Sequence, residues 1–98
     1  METEDSITRW IREIKEGDGE SAAEALWREY FTKLVRYARQ KIEGHPRRMA
    51  AEEDVALSVF KSFCQAAQKG RFPDLSDRDG LWRLLLRMTA RKAVDLIR

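Results

Sequence analysis

Residues 82–98 run Trp82-Arg83-Leu84-Leu85-Leu86-Arg87-Met88-Thr89-Ala90-Arg91-Lys92-Ala93-Val94-Asp95-Leu96-Ile97-Arg98. At about 100° per residue these positions separate into two faces of one helix. Leu85, Leu96, Thr89, Trp82, Ala93, Leu86, Ile97 and Ala90 fall together and form the expected core face. Arg83, Arg87, Arg91 and Arg98 gather away from it, with Val94 among them. Four-residue steps make the first three arginines a ladder along the axis. Asp95 is the one acid in the body of this helix, so the ladder has little carboxylate to pair with. A guanidinium presents a planar fork of donors that fits phosphate oxygens, which makes a nucleic-acid backbone a natural partner. A solvated basic face is the plain alternative, and this stretch alone leaves both open.

The rest of the chain repeats the helical period. Ser6 to Glu16 sets Ile7, Trp10, Ile11 and Ile14 on one face and ends at Gly17-Asp18-Gly19. A second helix runs to about Ile42, with Ser21 and Glu24 spaced as a capping box and Asp18 as a rival cap. Its stripe is Ala23, Leu26, Trp27, Tyr30, Phe31, Leu34, Tyr37, Ala38 and Ile42, which is ordinary core spacing. Gly44 and Pro46 mark a loop over Glu43 to Arg48. A third helix spans about Ala51 to Lys69, and Gly70 to Leu75 forms a second loop. Ser76, followed by Asp79, caps the fourth helix. Alternating strand patterns are absent, so the expected fold is all-α, a compact four-helix unit forming one domain over residues 1–98. Nothing at Leu96-Ile97-Arg98 ends the last helix, which leaves two readings open, a chain cut from a longer protein and a frayed natural terminus.

Two further places stand out. Lys69-Gly70-Arg71-Phe72-Pro73, just before the fourth helix, joins two cations to an aromatic. Phosphate attraction and base stacking together are what single-stranded DNA needs. The third helix has Val55, Val59, Phe63, Ala56, Ala67, Phe60 and Ala66 for a core face. Its other face carries Glu53, Asp54, Ser58, Lys61, Gln65 and Gln68, with Leu57 in their midst and Cys64 beside it. A leucine ringed by polar residues has the form of an interface anchor, although single surface leucines are also common.

Composition removes other classes. Of the 98 residues 43% are hydrophobic, enough for a packed core. The net charge of +2 says little, but residues 1–20 hold seven acids against three bases, and residues 81–98 five bases against one acid. One cysteine, Cys64, allows no disulfide framework and no Cys-rich metal site. His45, the single histidine, stands in a Gly-His-Pro loop and reads as neither ligand nor base. No acid pair, His-centred triad or glycine-rich phosphate loop is in view, so an enzyme is the least expected class and no cofactor or metal is implied. Glu52-Glu53-Asp54 reads as first-turn carboxylates favouring the helix dipole. No run approaches the roughly 18 apolar residues of a membrane span, and no signal peptide opens the chain; the expected location is the cytoplasm, without a membrane partner.

A family resemblance covers nearly the whole chain, from about Ile7 to Arg98. Glu53-Asp54-Val55-Ala56-Leu57-Ser58-Val59-Phe60 resembles the Glu-Asp-Leu-Val-Gln-Glu-Val-Phe segment of extracytoplasmic-function (ECF) sigma factors. Leu84 to Arg98 is similar, without gaps, to that family's Trp-Leu-Tyr-Arg-Ile-Ala-Arg-Asn-Arg-Ala-Ile-Asp-Arg-Leu-Arg helix. Ala25-Leu26-Trp27-Arg28-Glu29-Tyr30 resembles its first conserved segment. Leu57-Ser58 stands where the family has Gln-Glu, Leu84 where it has tryptophan, and Ala90-Arg91 where it has Arg-Asn.

The resemblance implies the region 2 domain of such a factor, with the family's helix-turn-helix domain outside this chain. It implies docking on the clamp helices of the polymerase β′ subunit through Glu53, Asp54, Leu57, Ser58 and Lys61. It further implies recognition and melting of the promoter minus-ten element, with the single-stranded non-template strand held by Lys69, Arg71, Phe72, Arg83, Arg87, Arg91 and Lys92. The expected partners are core RNA polymerase and promoter DNA; an anti-sigma factor is a third that the family admits. The rival readings are a helical protein-interaction module or regulator without direct DNA binding, and a small repressor laying its last helix in the major groove.

Overall fold

The computed structural model describes residues 6–17, 19–42 and 51–97. The expected loop from Glu43 to Arg48 with His45, the rival cap Asp18 and the last arginine, Arg98, lie outside the described residues, and so do the side chains of Leu96 and Ile97. The described residues form four helices: α1 (Ser6–Lys15), α2 (Glu20–Ile42), α3 (Ala51–Gln68) and α4 (Arg78–Ile97). Helix α2 packs against the other three, and α3 packs against both α1 and α4.

Four-residue rows build this core. Helix α2 buries Ala22, Leu26, Tyr30, Leu34, Ala38 and Ile42, and α4 buries Leu81, Leu85, Thr89 and Ala93. Such rows are the ridges by which helices interlock. Helix α3 adds Val55, Ala56, Val59, Phe60, Phe63 and Ala67, while α1 contributes Ile7, Ile11 and Ile14. The hydroxyl of Thr89, buried to 0% exposure, donates to the Leu85 carbonyl at 2.7 Å and so is satisfied within the core.

The core face of α4 differs from the expected one. Leu81 is at 0% exposure, whereas Trp82, Leu86 and Ala90 are half-buried. The buried stripe is thus rotated by roughly 50° toward Leu81. The rotation turns Leu84 and Met88 toward α3, and it carries Arg91 and Lys92 with them. Trp82 keeps a partner by stacking on Tyr30, with centroids 5.6 Å apart.

Helix ends follow from single residues. Gly17, at φ +87°, closes α1 by donating to the Ile14 carbonyl at 3.1 Å. Two residues on, a Cβ at Gly19 would lie 2.5 Å from the Ile14 Cα, so only glycine lets α2 begin against the end of α1. The Gly19 carbonyl accepts from Ala23 N–H at 2.7 Å and serves as the cap of α2. Ser21 therefore lies inside the helix, and Glu24 accepts from Arg28 at 3.1 Å instead of closing a capping box. The cap of α4 is Asp77 and not Ser76: its Oδ1 accepts from Gly80 N–H at 2.8 Å, and its carbonyl from Leu81 N–H at 3.0 Å. Across the chain between α2 and α3, Arg39 Nε meets Glu52 Oε2 at 2.7 Å.

Candidate functional site

The loop between α3 and α4 has a defined shape. Gly70, at φ +76°, donates to the Ala67 carbonyl at 3.1 Å, and Arg71 N–H to the Ala66 carbonyl at 3.0 Å. This pair of bonds is a Schellman closure of α3. A turn follows, with Leu75 N–H donating to the Phe72 carbonyl at 3.1 Å across Pro73 and Asp74. Leu75 enters the core at 8% exposure. Phe72 stacks on the fully buried Phe63, centroids 6.0 Å apart and planes within 11°. Lys69 and Arg71 stay exposed.

Phe72 closes one end of a groove of about 390 Å³ between α3 and α4. Its apolar lining is Val59, Phe72, Leu84 and Met88; Arg87, Arg91 and Lys92 line it with cations, and Ser62 and Asp95 complete it. Four of the seven residues expected to touch DNA thus meet around one hollow. Arg83 does not line it. Residues four apart on a helix drift by about 40°, so the ladder slants and reaches the groove only by its upper rungs. Arg83, Arg87 and Arg91 are all exposed, and no ion pair among the described residues holds them.

The α3 surface divides in two. Leu57 is 41% exposed and, with Trp27, Phe60, Lys61 and Cys64, lines an open hollow of about 560 Å³ between α2 and α3. Trp27 packs its ring against Phe60 at 5.3 Å and Phe31 at 4.7 Å, which gives the hollow a firm aromatic wall. Asp54 and Ser58 face the other way and share a smaller hollow of about 290 Å³ with Val55, Lys92 and Asp95. Glu53 is exposed and lines neither. Lys92 therefore lines the groove beside the arginines and also the hollow beside Asp54, so the two expected residue sets adjoin there. Burial pushes the Cys64 thiol up to about 11, which keeps it protonated and unreactive at neutral pH.

Sequence reasoning passed over Trp27 and Phe60 as walls of the Leu57 hollow and Leu84 and Met88 as groove lining. Trp27 and Phe60 had been counted as core, and Leu84 and Met88 had gone unassigned. The signal for them is present in the three- and four-residue spacings Trp27–Phe31, Leu57–Phe60, Leu84–Arg87, Met88–Arg91 and Met88–Lys92, which join each to a site residue or an aromatic neighbour.

An all-α scaffold that presents one apolar hollow and one cation-lined groove defines a binding module. Among the described residues no group of three His, Cys, Asp or Glu side chains could hold a metal ion, and no helix is long and apolar enough to cross a membrane. The model of the ECF sigma factor family matches residues 4–98, and the chain belongs to that family. No match was found among curated proteins or among solved structures. The protein is a transcription initiation factor and not an enzyme.

Proposed function

We propose that this chain is the sigma region 2 domain that docks on the β′ clamp helices of core RNA polymerase and opens the promoter at the minus-ten element. The convergence of Phe72, Arg87, Arg91 and Lys92 on one apolar-floored groove carries this reading. Its volume falls in the usual range for ligand pockets, about 300–1,000 Å³. A strand passing over α4 meets cations for its phosphates, with Arg83 extending the track. The loop from Lys69 to Leu75 offers the ring of Phe72 and the charges of Lys69 and Arg71 to a base that has left the stack. Unstacking costs a few kcal/mol, which stacking and phosphate contacts must offset.

Docking uses the other hollow. Leu57 between Trp27 and Phe60 receives an apolar side chain of the polymerase with Lys61 at its edge, while Glu53, Asp54 and Ser58 offer polar contacts on the other flank of α3. Leu57-Ser58 in place of the family's Gln-Glu shifts this contact from hydrogen bonding toward burial. The test is to mix the chain with core polymerase and labelled minus-ten DNA. The expected result is a ternary complex that prefers the single non-template strand to duplex. Binding to polymerase without any DNA at low salt supports the interaction-module reading; tight duplex binding without polymerase supports the repressor reading.

A further inference from the structure

Helix α1 has no part in either surface, yet it reaches the loop. The Lys15 ammonium, on the last residue of α1, donates to the Leu75 carbonyl at 2.9 Å and to the Pro73 carbonyl at 3.3 Å. These contacts span 60 and 58 residues of sequence. They fall on the turn that follows Phe72. Among the described residues the Leu75-to-Phe72 bond is the one backbone bond made within residues 71–76, and Pro73 has no N–H to add another. Beyond the Schellman bonds of Gly70 and Arg71, the loop is held by two apolar anchors, Phe72 on Phe63 and Leu75 in the core. Apolar anchors fix depth but tolerate rotation, whereas a charged donor bonded to two carbonyls fixes which way the turn faces.

We infer that Lys15 is a positioning residue for base capture: by clamping the Pro73 and Leu75 carbonyls, it sets the orientation of the turn and hence of Phe72 and Arg71. The inference rests on the reading of the loop as the base-accepting element. It gives α1 a role in promoter opening without any contact to DNA. Lys15 is half-buried, and Lys15→Met keeps the aliphatic stem while removing the donors, so the helix packing is retained.

The experiment compares the parent, Lys15→Met, Lys15→Arg, Phe72→Leu and Arg71→Ala, each as the full chain with core polymerase on a minus-ten promoter. Lys15→Met is expected to lower open-promoter yield by about five- to ten-fold, the scale of one lost hydrogen bond of ordinary net strength. Amide exchange at Leu75 should rise by a similar factor, Lys15→Arg should recover most of the yield, and the salt slope of DNA binding should match the parent. Unchanged opening together with a still-protected Leu75 amide overturns the inference, and so does a reduced salt slope, which would mean that Lys15 touches phosphate itself. If Lys15→Met opens normally while Phe72→Leu and Arg71→Ala do not, the clamp is refuted and the loop reading stands. If no loop variant affects opening, the loop reading itself has failed, and the clamp falls with it.

Discussion

The hollow between α2 and α3 and the groove between α3 and α4 share a helix and differ in chemistry. The first has an apolar centre, Leu57 with Trp27 and Phe60, and a single cation, Lys61. The second also has an apolar floor, but Arg87, Arg91 and Lys92 line it against one acid, Asp95. A partner held by the first is held through desolvation and responds little to salt. A polyanion held by the second displaces counterions and responds steeply. One small domain can thus hold a protein and a nucleic acid at once, provided that its core keeps the two hollows apart. An aromatic series does this: Trp27 touches Phe60 at 5.3 Å, Phe60 touches Phe63 at 6.0 Å, and Phe63 touches Phe72 at 6.0 Å.

The comparison breaks most directly at Leu57. Leu57→Arg is expected to weaken binding to core polymerase by about 2 kcal/mol or more, roughly thirty-fold, the scale of a buried anchor. The helical content should stay unchanged, because Leu57 faces outward. Equal polymerase affinity in a titration would remove the hollow from the docking surface, and loss of the circular-dichroism signal would put Leu57 in the core.

Phe72 sharpens the other side. Its ring both packs on Phe63 and lines the groove. Phe72→Leu keeps most of the packing and removes the stacking face. Open-promoter yield should fall by an amount worth about 1–3 kcal/mol, while polymerase affinity holds. Potassium permanganate footprinting of the minus-ten thymines measures the first and the titration the second. Phe72→Ala should add a loss of thermal stability that the leucine variant lacks.

A smaller effect is expected at Asp77. Asp77→Ala removes the acceptor for the Gly80 N–H and should lower stability by about 1 kcal/mol in urea unfolding. Ser76→Ala, by contrast, should be close to neutral, since Ser76 is exposed and does not cap α4. Equal effects of the two changes would return the cap to Ser76.

Much of this architecture was legible in the chain because its signals are local. The row from Leu26 through Leu34 to Ala38 announces α2, and Gly17 and Gly70 stand where helices end. The cap of α4 was misjudged by one residue because Ser76 and Asp77 are both good caps, and only the bond to Gly80 separates them. The core face of α4 was misplaced because Leu81, Leu84, Leu85 and Leu86 cover most of a turn. A wheel cannot choose among four leucines; the α2 ridge chooses, and it selects Leu81 and Leu85. That choice brings Leu84, Met88 and Arg91 to the groove, so the site itself depended on tertiary packing. The Lys15 clamp joins residues 60 positions apart and had no local signature.

The central claim is that α4 meets DNA through its cations while α3 meets polymerase through Leu57, and the salt dependence of DNA binding tests it most directly. Holoenzyme assembled with the parent chain, Arg87→Ala, Arg91→Ala or the double variant is titrated with single-stranded minus-ten DNA over a range of salt. Each arginine removed is expected to lower the slope of log affinity against log salt by about 0.7, and the double variant by about twice that, whatever the base sequence. Polymerase affinity should not change. Slopes equal to the parent's in all three variants would contradict the claim.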